Sequence, residues 1–137
     1  ASVLEQDGDA YSYIITGDTS SEFKIIAGGP GGQYMSSGTF VSAAYDPGYS
    51  TSYNRVSFTG TTPNQTSLTA QVAVSADCIN YTFIGPDGTS STFYSTIGGP
   101  IPLGANSGRC FKYKLYLSTN DFNATPVFND LTVNYSP

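Results

Sequence analysis

An all-β fold, an antiparallel β-sandwich or jelly-roll-like domain preceded by an N-terminal β-hairpin, is the class that the sequence predicts. Three observations carry it. Apolar and polar residues alternate with a period of two along several short runs, most cleanly at 109–118 and 127–135. Clusters of Gly, Pro, Asn and Asp separate these runs at short intervals. No stretch combines a 3.6-residue apolar period with a cap and a stop, as a helix requires.

Taken in order, residues 1–10 are acidic and unpatterned and read as an arm. Residues 11–16 and 22–27 are two apolar runs around Gly17-Asp18-Thr19-Ser20, the signature of a hairpin. The consecutive isoleucines Ile14-Ile15 and Ile25-Ile26 suggest burial on both faces. Gly28-Gly29-Pro30-Gly31-Gly32 follows, a spacer that no central strand would cross. This divides the chain into an arm plus hairpin over 1–27, a linker over 28–36 and a sandwich over 37–137. Strands are expected at 38–44, 53–59, 67–75, 80–84, 92–97, 109–118 and 127–135. In the third of these, Leu68, Ala70, Val72 and Val74 share the inward face. At 109–118, Phe111, Tyr113, Leu115 and Leu117 share one face, and Cys110, Lys112, Lys114 and Tyr116 the other. In the last, Val127, Leu131, Val133 and Tyr135 lie with Asn129, and Asp130 lies on the outer face with Phe128 beside it, where Lys112 and Lys114 would meet the carboxylate across the ladder.

Composition narrows the function classes. The chain has 137 residues, 5 Lys and Arg against 10 Asp and Glu, and a net charge of -5, so it lacks the basic footprint that nucleic acid demands. Ser and Thr fill about a quarter of the positions, which gives a surface solvated through uncharged groups, while 39% hydrophobic residues are too many for disorder. No apolar run approaches the length of a transmembrane helix, and no membrane insertion by this chain is expected. The opening Ala1-Ser2-Val3, without Met, fits a mature secreted chain or a trimmed one, and the expected place is extracellular or at the cell surface. Cys78 and Cys110 are the two cysteines. Paired, they would restrict the unfolded chain by about 3 to 4 kcal/mol; the alternative is two free thiols. Cys110 falls on the lysine face, outside the expected core, which favours the pair.

The side-chain inventory excludes more chemistry than it offers. The absence of His removes Ser-His-Asp and Cys-His nucleophiles and most zinc sites, so neither an enzyme nor a metal or other cofactor is expected. Paired carboxylates for glycoside hydrolysis would come from Asp46, Asp77, Asp87, Asp121 and Asp130, but Asp46 and Asp87 sit in turn signatures. Asp7-Gly8-Asp9 matches only a fragment of a calcium loop. Tyr45, Tyr49 and Tyr53, around the Pro47-Gly48 turn, would make a stacking patch for a glycan. Asn64, Asn80, Asn123 and Asn134 each begin an Asn-X-Ser/Thr acceptor triplet, a mild excess over chance.

A resemblance adds to this reading. Ser37-Gly38-Thr39-Phe40-Val41-Ser42, Tyr45-Asp46-Pro47-Gly48, Gly85-Pro86-Asp87-Gly88-Thr89, Phe111-Lys112-Tyr113-Lys114, Leu117-Ser118-Thr119 and Thr125-Pro126-Val127 with Asp130-Leu131-Thr132-Val133-Asn134-Tyr135 carry it. Over residues 37–136 the chain resembles the C-terminal β-sandwich of bacterial pilin-like proteins of the type IV and type II secretion class, and residues 11–27 resemble the closing hairpin of a pilin sheet. The resemblance implies a structural subunit, the outward globular part of a filament of identical copies. A pilin also has a long apolar helix, which this sequence lacks. The chain would then be a headpiece of a longer pilin, one chain of a split pilin whose partner is helical, or a protein of another kind. In the split case Tyr13, Ile14, Ile15, Phe23, Ile25 and Ile26 would form the assembly interface. The reading from another class is a carbohydrate-binding module or adhesin domain of a secreted protein.

Overall fold

The computed structural model describes residues 10–16, 21–27, 34 and 36–136. Among them the chain is all-β, with β1 (Ala10–Thr16), β2 (Ser21–Ala27), β3 (Ser37–Val41), β4 (Thr51–Thr61), β5 (Thr66–Ser75), β6 (Gly99–Pro100), β7 (Ser107–Gly108), β8 (Cys110–Thr119) and β9 (Val127–Ser136). They form two sheets, one in the order β1-β2-β9-β4-β6 with β7 also on β4, the other β3-β8-β5. The chain divides into two compact units, one of residues through Phe40 with Phe58–Leu68 and Tyr116–Asp130, the other of Val41–Ser57, Thr69–Leu115 and Leu131–Pro137.

In the first unit β1 and β2 form the expected hairpin, in antiparallel register from Ala10↔Ala27 to Thr16↔Ser21. β2 then joins β9 through Phe23↔Phe128 and Lys24↔Val127. Phe58 and Phe128 are buried with ring centroids 6.3 Å apart, and Leu68 and Leu117 are buried in the same unit. Gly60 has no side chain because a Cβ there would run into the Val127 carbonyl and the Leu68 side chain. The β8–β9 connection holds itself together: the Thr119 hydroxyl accepts from the Asp121 N–H, and the Asp121 carboxylate accepts from the Asn123 N–H. Phe128 is thus a core residue and not a companion of Asp130 on an outer face. Asp130 is exposed and accepts the Thr59 hydroxyl at 2.7 Å. The ladder between Asp130 and the β8 lysines does not form, since β9 lies between β2 and β4 whereas β8 lies between β3 and β5.

In the second unit Tyr53 stacks on Phe111 at 5.2 Å, and Val56, Ala70, Val72, Tyr94, Ile101 and Leu115 are buried. β4 changes its inward parity here: Thr51 and Tyr53 are buried, Asn54 and Arg55 are both exposed, and Val56 is buried again, the signature of a β-bulge. Opposite the bulge, β6 and β7 pair separately with β4, so two short strands stand where the sequence showed none. β5 is buried on both faces, with Gln71, Ala73 and Ser75 as enclosed as Ala70 and Val72, while Val74 is only half-buried.

The segment 76–98 accounts for that double burial. Instead of strands at 80–84 and 92–97 it contributes single bridges, Ile84 to Val72 and Tyr94 to Ala70. Each run is cut short by its own turn: the Gly85 N–H donates to the Thr89 carbonyl just after Ile84, and the Gly98 N–H donates to the Ser95 carbonyl just after Tyr94. Gly98 has φ +74 and faces the Val56 carbonyl, which leaves no room for a Cβ. The Gln71 amide donates to the Ser90 and Thr92 carbonyls at 3.0 and 2.9 Å and ties the segment to β5.

The same segment covers the lysine face of β8. Lys112 Nζ lies 4.4 Å from the Tyr81 ring centroid, and Lys114 Nζ lies 6.0 Å from that of Phe83. Cys110, expected outside the core, is 1% exposed and bonded to Cys78. The disulfide, with Cα atoms 5.2 Å apart, closes the excursion at one end. Its presence fits an oxidising compartment.

Candidate functional site

Asp46-Pro47-Gly48, the turn that precedes β4, gathers an ion pair and several aromatic rings at the surface of the second unit. Asp46 Oδ1 accepts the Gly48 N–H at 2.8 Å, so its carboxylate is fixed by its own turn. Arg109, just before β8, grips the same carboxylate in a fork, Nε to Oδ1 at 2.8 Å and Nη2 to Oδ2 at 3.0 Å. Its hydrogen bonds hold the Asp46 carboxyl below the usual carboxylate range, with the Gly48 N–H adding to the effect. Both partners are solvent-exposed, so the fork fixes geometry more than it adds stability.

Beside the ion pair runs a row of aromatic rings. Tyr45 and Tyr135 share a hydroxyl contact at 2.5 Å with ring centroids 5.6 Å apart. Tyr135 lies 5.7 Å from Tyr53, and Tyr53 in turn stacks on Phe111. The row runs from surface to core: Tyr45 is 44% exposed, Tyr135 36% and Tyr53 0%. Tyr49, on the same turn, is 46% exposed. The Tyr53 hydroxyl donates to the Arg109 carbonyl at 2.7 Å, so this ring anchors the site from beneath. Of the three tyrosines expected to stack on a glycan, Tyr45 and Tyr49 present surface and Tyr53 does not. β4 buries Tyr53 because the bulge lies after it, keeping positions 51 and 53 inward. Tyr135, 36% exposed, is the third ring at the surface beside Tyr45.

The other candidates are placed as follows. Asp77 accepts the N–H groups of Ile79 and Asn80, the Ser75 hydroxyl and the Asn80 amide, which hold it far below the carboxylate range. Asp87 accepts the hydroxyls of Thr89 and Thr92 and is lowered by them. Both are turn clamps, and their shifts are opposite to that of the raised carboxyl a glycosidase general acid needs. Asp46 also lies within 4.8 Å of the Cys78 and Cys110 sulfurs. These are disulfide sulfurs, and a metal requires thiolate, so the trio is not a metal donor set. Asp7-Gly8-Asp9 and the side chains of Tyr13, Ile14, Ile15, Phe23, Ile25 and Ile26 lie outside the described residues.

Arg109 and Tyr135 escaped the sequence reading. Each sits next to a residue that attracted attention for another reason, Cys110 in one case and the Asn134 triplet in the other. Only the pairing of strands distant in sequence brings them to Asp46 and Tyr45. Comparison with protein-family models, curated proteins and solved structures finds no match to this chain.

Proposed function

We propose that the chain is a non-enzymatic structural subunit, the surface-exposed globular part of an extracellular pilus-like filament assembled from identical copies with a helical pilin partner. The observation that carries the reading is the edge formed by β1. This seven-residue strand, Ala-Tyr-Ser-Tyr-Ile-Ile-Thr, has no charged residue, and among the described residues β2 is its one neighbour in the sheet order. An uncharged edge of that length is a template for another chain unless something covers it. The other end of the same sheet is blunted: β6 has two residues and includes Pro100, which has no N–H to offer. A disulfide and a surface of few charges suit a subunit that endures outside the cell beside many copies of itself. The test is sedimentation of the purified chain over a wide concentration range, alone and with whatever co-purifies from native material. Self-association or a helical co-purifying chain is expected, and Ile14→Lys or Ile15→Lys, which put a charge on the edge strand, should abolish it. A chain that stays monomeric and solitary throughout would sink the proposal.

A second reading, a carbohydrate-binding module or adhesin domain, is favoured by one observation, the exposed rings of Tyr45, Tyr49 and Tyr135 beside the Asp46–Arg109 fork. Aromatic faces next to fixed polar groups are what a sugar ring requires. Selective retention on a glycan array, lost in Tyr49→Ala with the fold intact, is the expected result; an array without signal removes this reading.

A further inference from the structure

The four Asn-X-Ser/Thr triplets are equivalent in sequence and unequal in three dimensions. N-linked transfer needs an asparagine whose side-chain amide is exposed and unengaged, in a segment with room for a bulky glycan, together with a reachable hydroxyl two residues on.

Three of the triplets fail. The Asn80 amide donates to Asp77 Oδ2 at 2.6 Å and helps close that turn. The hydroxyl partner of Asn123 is Thr125, which at 8% exposed is buried out of reach. Asn134 lies inside β9, where its triplet is pinned: Tyr135 meets Tyr45, the Ser136 carbonyl accepts the Thr51 hydroxyl, and the Ser136 hydroxyl accepts the Asn54 amide.

Asn64 meets every condition. It is at the tip of the β4–β5 connection, where residues 61–65 are all exposed. Its side-chain amide has no protein partner among the described residues, and Gln65 beside it takes a left-handed φ of 68° in the turn before β5. The half-buried Thr66 donates its hydroxyl to the Pro63 carbonyl at 2.6 Å, so its oxygen lone pairs stay open. The Thr66 N–H to Pro63 carbonyl and Asn120 N–H to Gln65 carbonyl bonds hold the loop from below. The backbone is fixed and the amide is free.

We infer that Asn64 is the N-glycosylation site of this protein, accepting a sugar from an activated glycosyl phosphate donor through a glycosyltransferase of the secretory route. In the transfer the Asn64 amide nitrogen bonds to the anomeric carbon, the carbon–oxygen bond to phosphate breaks, the phosphate leaves with that electron pair, and the amide gives one proton to a base of the transferase. No oxidant or reductant is involved. The inference holds whether or not the chain assembles.

The test is to direct the full chain through the secretory pathway of a host with N-linked glycosylation and to read intact mass and peptide maps. Enzymatic deglycosylation leaves Asp at the linked position and identifies it. Glycan at Asn64 alone is expected, with Asn64→Gln and, independently, Thr66→Val returning the bare mass. Near-UV circular dichroism checks that both variants fold. An unmodified Asn64 peptide overturns the inference, as does glycan on Asn80, Asn123 or Asn134 in the folded chain.

Discussion

Tyr53 has no exposed surface, yet its hydroxyl must stay protonated to donate to the Arg109 carbonyl. Burial is the main cause that pushes its pKa up to about 12, well above the ordinary phenol range, with the neighbouring tyrosines and Asp46 adding to it. Burial raises Tyr94 and Tyr113 as well. A folded pKa above the unfolded one means stability that is complete below the unfolded value and is lost as pH rises through the folded one. The chain should therefore keep its stability through neutrality and lose it between pH 10 and about 12. Absorbance titration of the phenols should show a late group that ionises together with unfolding. A single early transition for all tyrosines would contradict the buried anchor. The carboxylates act in the opposite sense: Asp46, Asp77 and Asp87 are all lowered, so what they contribute is present above the ordinary carboxylate range and disappears in acid.

Among the elements, the segment 76–98 carries the strongest dependence on a single bond. It is attached to β5 by two bridges, by the Gln71 amide and by the Ser75 hydroxyl, which donates to Asp77 and accepts the Cys78 N–H, and its start is fastened to β8 by Cys78–Cys110. Reduction, or Cys78→Ser with Cys110→Ser, should cost about 3 to 4 kcal/mol in denaturant unfolding on the loop-entropy account. Hydrogen exchange should rise first in 76–98 and over the lysine face of β8 that it covers, before β4 or β5 opens. Uniform loss of protection would show that the staple serves the whole chain equally. The elements also show where a sequence reading holds. β5, β8 and β9 lie within a residue or two of their expected bounds, because ten-residue strands are long enough to show a period of two in their sequence. The runs at 80–84 and 92–97 have strand-like residues, but their turns follow too closely for a ladder to form. β6 and β7 left no signal, since two-residue strands have no period to read.

At the scale of the whole molecule, what matters is how each sheet ends. One sheet closes at a two-residue strand with a proline and opens at the uncharged β1; in the other, β5 is overlaid by the bridges of Ile84 and Tyr94. The association proposed above would use β1, and charging that strand is the change that should disperse it. The lysine-bearing face of β8, which promised a wet surface in the sequence, is covered by Tyr81 and Phe83, and the surface chemistry gathers instead around Asp46.

By itself the sequence determined the all-β class, the long strands, the turns and the pool of site residues, because periodicity and turn chemistry act over a few neighbouring residues. Tertiary structure alone decided which residues meet. Asp46 and Arg109 are 63 residues apart, Tyr45 and Tyr135 are 90, and Tyr53 and Arg109 are 56. Such pairings depend on strand order and on a bulge that holds Tyr53 inward, and no local pattern records either.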